Sequence, residues 1–202
     1  SSRPRHVYLR QIDEGERTSL SLLAALVPAG ATVLDLGTGS GALGAHLSAR
    51  DGCIVDGVTI SAEEAALAGS AYRRLVVADL DAPDALTVFA GQRYDRIVCA
   101  DVLEHLKEPE QTLRACRDLL APGGSLLISV PNAAYCGLVA DLMQGDFRYR
   151  EEGLLDRTHL RFFTRRSLLE TLGGQGYGVR VLQTVERPLN ESEFRTRFDD
   201  LP

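Results

Sequence analysis

The run Val33-Leu34-Asp35-Leu36-Gly37-Thr38-Gly39-Ser40-Gly41 sets an acidic residue and three alternate glycines directly after an apolar stretch. Without side chains, Gly37, Gly39 and Gly41 let a ligand lie against the backbone where a strand turns into a helix, at the end of the sheet where open α/β folds bind ligands. A dinucleotide-binding loop reads G-x-G-x-x-G; this one reads G-x-G-x-G and suits a ligand without a pyrophosphate. Two further reactive side chains are His105 and, far downstream, His159. An imidazole can take a proton from a hydroxyl near neutral pH, which makes His105 and His159 candidate bases. Arg161, if turned inward, suits an anionic group on a substrate. Cys53, Cys99, Cys116 and Cys136 form no C-x-x-C pair, so neither a zinc knuckle nor a redox motif is indicated, and three of them read as small core residues.

These groups need elements to position them. Leu20, Leu23, Ala24 and Val27 form one stripe of a helix over about Glu16 to Val27, stopped by Pro28. Apolar runs predict strands at Thr32 to Leu36, Ile54 to Ile60, Leu75 to Ala78, Arg96 to Ala100 and Ser125 to Val130, and such runs suit buried parallel strands. Ser61 is placed to cap a helix, with Glu64 closing a capping box. Pro109 opens another helix with Leu113, Cys116 and Leu120 on one face, and Pro122-Gly123-Gly124 ends it. Strand and helix alternate across residues 31–130, so the fold class is α/β: a doubly wound, mainly parallel sheet with helices on both faces. After Pro131 the rhythm breaks; Asn132 to Arg161 reads as an irregular insertion, Thr164 caps a helix through Leu172, and Tyr177 to Val185 alternates as a late strand. The expected organisation is one domain: a helical lead-in over 1–30, a core over 31–130, an insertion over 131–166, and a helix, strand and polar tail over 167–202.

With these motifs in order, the chain resembles the class I S-adenosylmethionine-dependent methyltransferases over roughly residues 20–185. The resemblance implies a Rossmann-like fold, S-adenosylmethionine as cofactor and S-adenosylhomocysteine as product. It assigns the cofactor to Asp35, Gly37, Thr38, Gly39 and Gly41, to Thr59 and Ile60 after the second strand, to Asp79 and Leu80 after the third, and to Asp101 after the fourth. The second strand departs from the family pattern, with Thr59 where a ribose-binding acid usually stands; a hydroxyl offers less than a carboxylate's two acceptor oxygens, so Glu64 or water is expected to help. The stretch 153–164 with Pro131-Asn132 is similar to a bacterial subgroup found with sugar- and polysaccharide-processing proteins. It implies a small-molecule or glycan O-methyltransferase with His159 and His105 as catalytic residues and Asn132 and Arg161 on the substrate. Asp101, Glu104, His105 and His159 are also similar in order to the metal ligands of small-RNA terminal 2′-O-methyltransferases and some quinone O-methyltransferases. Asp101 replaces a usual Glu there, and the expectation is a site without metal.

Composition narrows the alternatives. Lys and Arg total 22 against 28 Asp and Glu, a net charge of −6, with 6% aromatic residues and no Trp. This disfavours duplex nucleic acid and an RNA-methylating groove. The basic stretch from Arg157 to Arg166 reads as a solvated face. A non-catalytic cofactor-binding module, the third alternative, would be expected to lose its loop glycines, and all three are present. No run approaches the ~20 apolar residues of a membrane-spanning helix, and the expectation is a cytoplasmic protein. The family's sheet closes with an antiparallel strand that Asn190 to Pro202 does not supply, so the chain also reads as a fragment with further domains beyond it.

Overall fold

A computed structural model describes Ile12 and residues 15–196; the outermost parts of the expected lead-in and tail lie outside the described residues. Five strands, β1 (Thr32–Leu36), β2 (Ile54–Thr59), β3 (Arg74–Val77), β4 (Tyr94–Ala100) and β5 (Leu120–Ser129), form one sheet in the order β3-β2-β1-β4-β5. Every neighbouring pair is parallel. The helix α1 (Ser19–Ala25) precedes β1, α2 (Ala42–Asp51), α3 (Ala62–Ala68) and α4 (Pro109–Leu119) connect β1 to β2, β2 to β3 and β4 to β5, and only a 3₁₀ turn lies between β3 and β4. Parallel strands are buried on both faces, and Val33, Leu34, Leu36, Val58, Ile97, Val98 and Cys99 are accordingly sealed from solvent. Leu20, Leu23, Leu43 and Leu47 from α1 and α2 join this core.

The elements have local causes. Thr18 caps α1 in a reciprocal box with Ser21, so the helix starts at Ser19, three residues later than its apolar stripe suggests. Pro109 occupies the first turn of α4, where its missing N–H costs nothing. β5 begins at Leu120, earlier than the apolar run, because Pro122-Gly123-Gly124 is carried inside a register shift opposite Tyr94 and Arg96. Beneath β2, the buried carboxylate of Asp56 accepts from Arg73 Nε at 2.9 Å and from the Tyr94 hydroxyl at 2.7 Å. These partners hold Asp56 below the usual carboxylate range against the upward push of burial.

The described residues divide into two compact units: those up to Val102 with Glu108–Ser129, which hold the sheet, and Leu103–Lys107 with those from Val130 onward. The second unit carries α5 (Cys136–Met143) and α6 (Arg165–Gly174), the latter capped by Thr164 through Ser167. α5 corrects the reading of 132–161 as wholly irregular. Leu138 of that helix packs with Leu155 and Phe194 in a small core of the unit's own. A bridge between Asn132 and Phe163, with Ala133 N–H donating to Phe163 O at 2.7 Å, closes the segment at its base. The expected strand over Tyr177 to Val185 is also corrected: no strand is formed there, and Val179, Val181 and Val185 are exposed. Alternation needs a partner ladder to become a strand, and the segment is not part of the five-stranded sheet.

Candidate active site

The first unit builds its site from backbone. β1 lies between β2 and β4, the point where successive crossovers run to opposite sides and leave a crevice at the carboxyl ends of the strands. There the N–H groups of Gly37 and Thr38 both donate to Val58 O, at 2.8 and 3.0 Å, pinning the loop to the end of β2. Gly37 and Gly41 have φ of 73° and 85°. A Cβ on Gly37 would stand 2.6 Å from Val102 Cγ2, and one on Gly41 2.6 Å from Ala68 Cβ, so both positions exclude any other residue. Thr38 is buried and Gly39 follows it in the same bare run, which ends as α2 begins.

The flanking groups differ in part from the sequence reading. Asp35 is 2% exposed, and its carboxylate accepts from the Tyr72 hydroxyl at 2.7 Å. Burial pushes its pKa up to about 7, against the lowering effect of the Tyr72 hydrogen bond. Thr59 is likewise sealed at 1% exposure, its hydroxyl donating to Glu64 and accepting from Ser61 N–H at 3.3 Å. The expected pair of Thr59 and Glu64 is joined by a hydrogen bond at this strand end, with the carboxylate on Glu64. Ser61 caps α3 as expected, but the Glu64 side chain turns to Thr59 and leaves the capping box open. Ile60 is exposed. Asp79 is exposed too, with one oxygen accepting from Asp81 N–H at 3.0 Å, and the carbonyl of Leu80 accepts from Thr112. Asp101 adopts φ 55°, sparsely populated for a residue with a side chain. Ser129 Oγ donates to its carboxylate at 2.7 Å, and its own N–H donates back to Ser129.

The second unit builds its site from side chains. Glu104 and His105 stand on a single 3₁₀ turn, and the N–H groups of Leu160 and Arg161 both donate to Glu104 O, at 2.7 and 3.0 Å, which fastens the loop carrying His159 to that turn. Potential ligand atoms of Glu104, His105 and His159 all lie within 4.8 Å of one another. Glu104 is 2% and His159 8% exposed. Hydrogen bonds assign the tautomers. His159 Nδ1 is 2.9 Å from Leu154 O, a group that only accepts, so Nδ1 carries the proton. His105 Nδ1 is 3.3 Å from Thr158 O and 3.0 Å from Thr158 Oγ1, whose own proton goes to Asp156 at 2.7 Å. In the neutral form of each ring this leaves the lone pair on Nε2. Thr158 and Asp156 were not singled out in the sequence, although Asp156-x-Thr158 is a recognisable turn pattern.

Aromatic rings continue from this cluster. His105 and His159 meet edge to face at 4.8 Å, His159 approaches Phe162 at 6.4 Å, Phe162 meets Phe147 at 6.2 Å, and Phe147 meets Tyr149 at 5.4 Å. Phe147, Tyr149 and Phe162 are each well exposed, forming an apolar shelf. The two expected substrate residues are used locally: the Asn132 amide oxygen accepts from Ala134 N–H at 3.0 Å, and the Arg161 guanidinium donates to the carbonyls of Lys107 and Leu160.

Comparison with known proteins gives this arrangement a family. A methyltransferase-domain family model matches residues 8–183. The chain is 37% identical over 118 residues to the ubiquinone biosynthesis O-methyltransferase of Xanthomonas axonopodis pv. citri, covering 54% of this chain and 46% of that protein. It is 35% identical over 107 residues to the protein of the same name from Escherichia coli O127:H6, covering 51% and 44%. The chain spans about half the length of the curated relatives it matches. In structure, an Archaeoglobus fulgidus S-adenosylmethionine-dependent methyltransferase aligns with a TM-score of 0.58 at 20% identity, covering 81% of this chain and 71% of that one. The cyclase SpnF aligns at 0.59 and 21%, covering 78% and 55%, so the fold alone does not dictate methyl transfer. The residues present fit the family's cofactor: a loop on which a Cβ would collide, the Glu64 carboxylate for a diol, the exposed Ile60 face and the outward Asp79 oxygen. The family match over most of the chain and this cradle together place the chain among the class I S-adenosylmethionine-dependent methyltransferases.

Proposed function

We propose that this chain methylates a hydroxyl on a small, flat, largely apolar acceptor. The observation that carries the reading is the pair of imidazoles whose Nδ1 protons are engaged by main-chain and threonine oxygens, beside a shelf of exposed aromatic rings. When bound, S-adenosylmethionine supplies an electrophilic methyl group. The chain's own part is to hold the acceptor and remove its proton. His159, buried and with its lone pair on Nε2, takes that proton, and the Leu154 carbonyl stabilises the imidazolium by accepting from Nδ1–H. His105, held by Thr158 and Asp156, orients the hydroxyl. Phe162, Phe147 and Tyr149 receive the acceptor's apolar body and exclude water from it. The relatives named as ubiquinone biosynthesis O-methyltransferases support a ring hydroxyl as acceptor.

Two further readings rest on specific observations. A sugar or glycan acceptor, expected from the sequence, is compatible with the same exposed rings, whose faces also stack on sugar C–H groups. A divalent cation fits Glu104, His105 and His159, because two imidazoles with anchored Nδ1–H groups and a buried carboxylate are a recurrent ligand set. Bound there, it would lower the pKa of an acceptor hydroxyl. RNA is less favoured, since Arg157 and Arg166 are paired with Glu151 and Glu170. The test is transfer of labelled methyl to a panel of catechols, phenols and sugars, with and without EDTA. Catechol or phenol methylation that survives EDTA is expected; labelling of sugars alone overturns the ring acceptor, and loss with EDTA restored by a divalent metal replaces the base by the cation.

A further inference from the structure

Tyr72 belongs to no motif of the sequence, yet three glycines from three segments make room for its ring. A Cβ on Gly44 in α2 would stand 2.3 Å from the ring's Cζ, one on Gly57 in β2 2.8 Å from Cδ1 and Cε1, and one on Gly41 in the loop 3.3 Å from Cε2. The ring is 7% exposed. Its hydroxyl accepts from Gly44 N–H at 3.2 Å and donates to Asp35 at 2.7 Å. Gly44 is the third residue of α2, so its N–H is one of the first-turn donors that lack a partner within the helix, and the N-cap, Gly41, has no side chain to supply one. The tyrosine hydroxyl therefore does the work of a cap from outside the helix and ties the helix start to the strand residue two positions before Gly37. Ser48 Oγ, donating to Ala71 O at 2.8 Å, holds the segment before Tyr72 to the same helix.

We propose that Tyr72 is a positioning residue for the cofactor loop: wedged between Gly41, Gly44 and Gly57, it joins Asp35 to the start of α2 and so sets the separation of the two ends of 37–41. It touches no cofactor and acts through the backbone it braces. The loop's conformation before binding then depends on the hydroxyl, and removing it weakens cofactor affinity by loosening the site. The inference rests on the placement of the cofactor at this loop.

The experiment is calorimetric titration of wild type and Tyr72→Phe with S-adenosylhomocysteine, beside their thermal unfolding. Tyr72→Phe keeps the ring and loses both hydrogen bonds; the expected result is a folded protein whose dissociation constant rises about tenfold, the factor that corresponds to one hydrogen bond to a charged group. Leu23→Ala, a core truncation in α1, serves as a control that lowers the unfolding temperature without touching the loop and is expected to bind as wild type. Tyr72→Phe binding with wild-type affinity overturns the proposal, as does a weakening that Leu23→Ala matches at equal loss of stability. Failure of the wild type to bind S-adenosylhomocysteine overturns instead the placement of the cofactor on which the proposal stands. If Tyr72→Phe does not fold, Asp35→Asn, which keeps an acceptor for the hydroxyl, is expected to bind more tightly than Asp35→Ala; equal binding overturns the proposal.

Discussion

The two units build their candidate sites in opposite ways. In the first, the candidate site is largely main chain: residues 37–41, pinned by Val58 O, with Gly37 and Gly41 kept bare by the space Val102 and Ala68 occupy. In the second, the chemistry sits on side chains, and the main chain of 154–161 is spent holding them, with Leu154 O, Thr158 O and Glu104 O each committed to a named partner. A backbone site tolerates little change at its glycines or at the groups that brace its main chain, whereas a side-chain site loses function one hydrogen bond at a time.

That contrast can be broken at several points. The largest effect is expected for Gly41→Val, where a branched side chain meets both a left-handed backbone and the backbone of Ala68; S-adenosylhomocysteine binding is expected to fall ~100-fold or more, or the first unit to unfold, as read by calorimetry and circular dichroism. His159→Ala is expected to lower methyl transfer by ~10²-fold or more while leaving cofactor affinity within a factor of about two. A parallel collapse of cofactor binding would show that the units do not divide the work as described. Thr158→Val removes only the support of His105 and is expected to cost ~10-fold in turnover, rescued in part by Thr158→Ser, which restores the hydroxyl.

Two buried aspartates of the first unit sharpen the comparison through pH. Asp56 has its folded pKa lowered by Arg73 and Tyr94, so its contribution to stability is complete above the unfolded value near 4 and is lost as pH falls through the folded value. Asp56→Ala, which also strands the Tyr94 hydroxyl, is expected to cost ~2–3 kcal/mol in urea unfolding at neutral pH and to flatten the acid limb. Asp35 runs the other way: its pKa rises to about 7 on folding, so its ionisation lowers stability as pH climbs from about 4 to about 7, and above that the penalty is constant. Asp35→Asn is expected to remove this slope, visible in unfolding midpoints taken across that interval.

Much of the first unit was legible because its causes are local. Apolar runs bounded by turn residues marked β1 and β2 to within a residue, Ser61 marked the start of α3, and the glycine spacing marked the loop after β1. The second unit was less legible: α5 lacks a side-chain cap, and valines that alternate over 177–185 formed no strand because a strand is a property of a pair.

What the sequence by itself determined, then, is the order of strands and helices, the glycine loop after β1, and the presence of His105 and His159 as candidate bases, since periodicity, capping and glycine spacing act over a few residues. Only the tertiary structure decided which carboxylate is offered at the end of β2, that Asp35 faces inward to Tyr72, and which nitrogen of each histidine keeps its lone pair. Those outcomes depend on partners 5 to 53 residues away, and burial, which no local pattern reports, sets how strongly each partner counts.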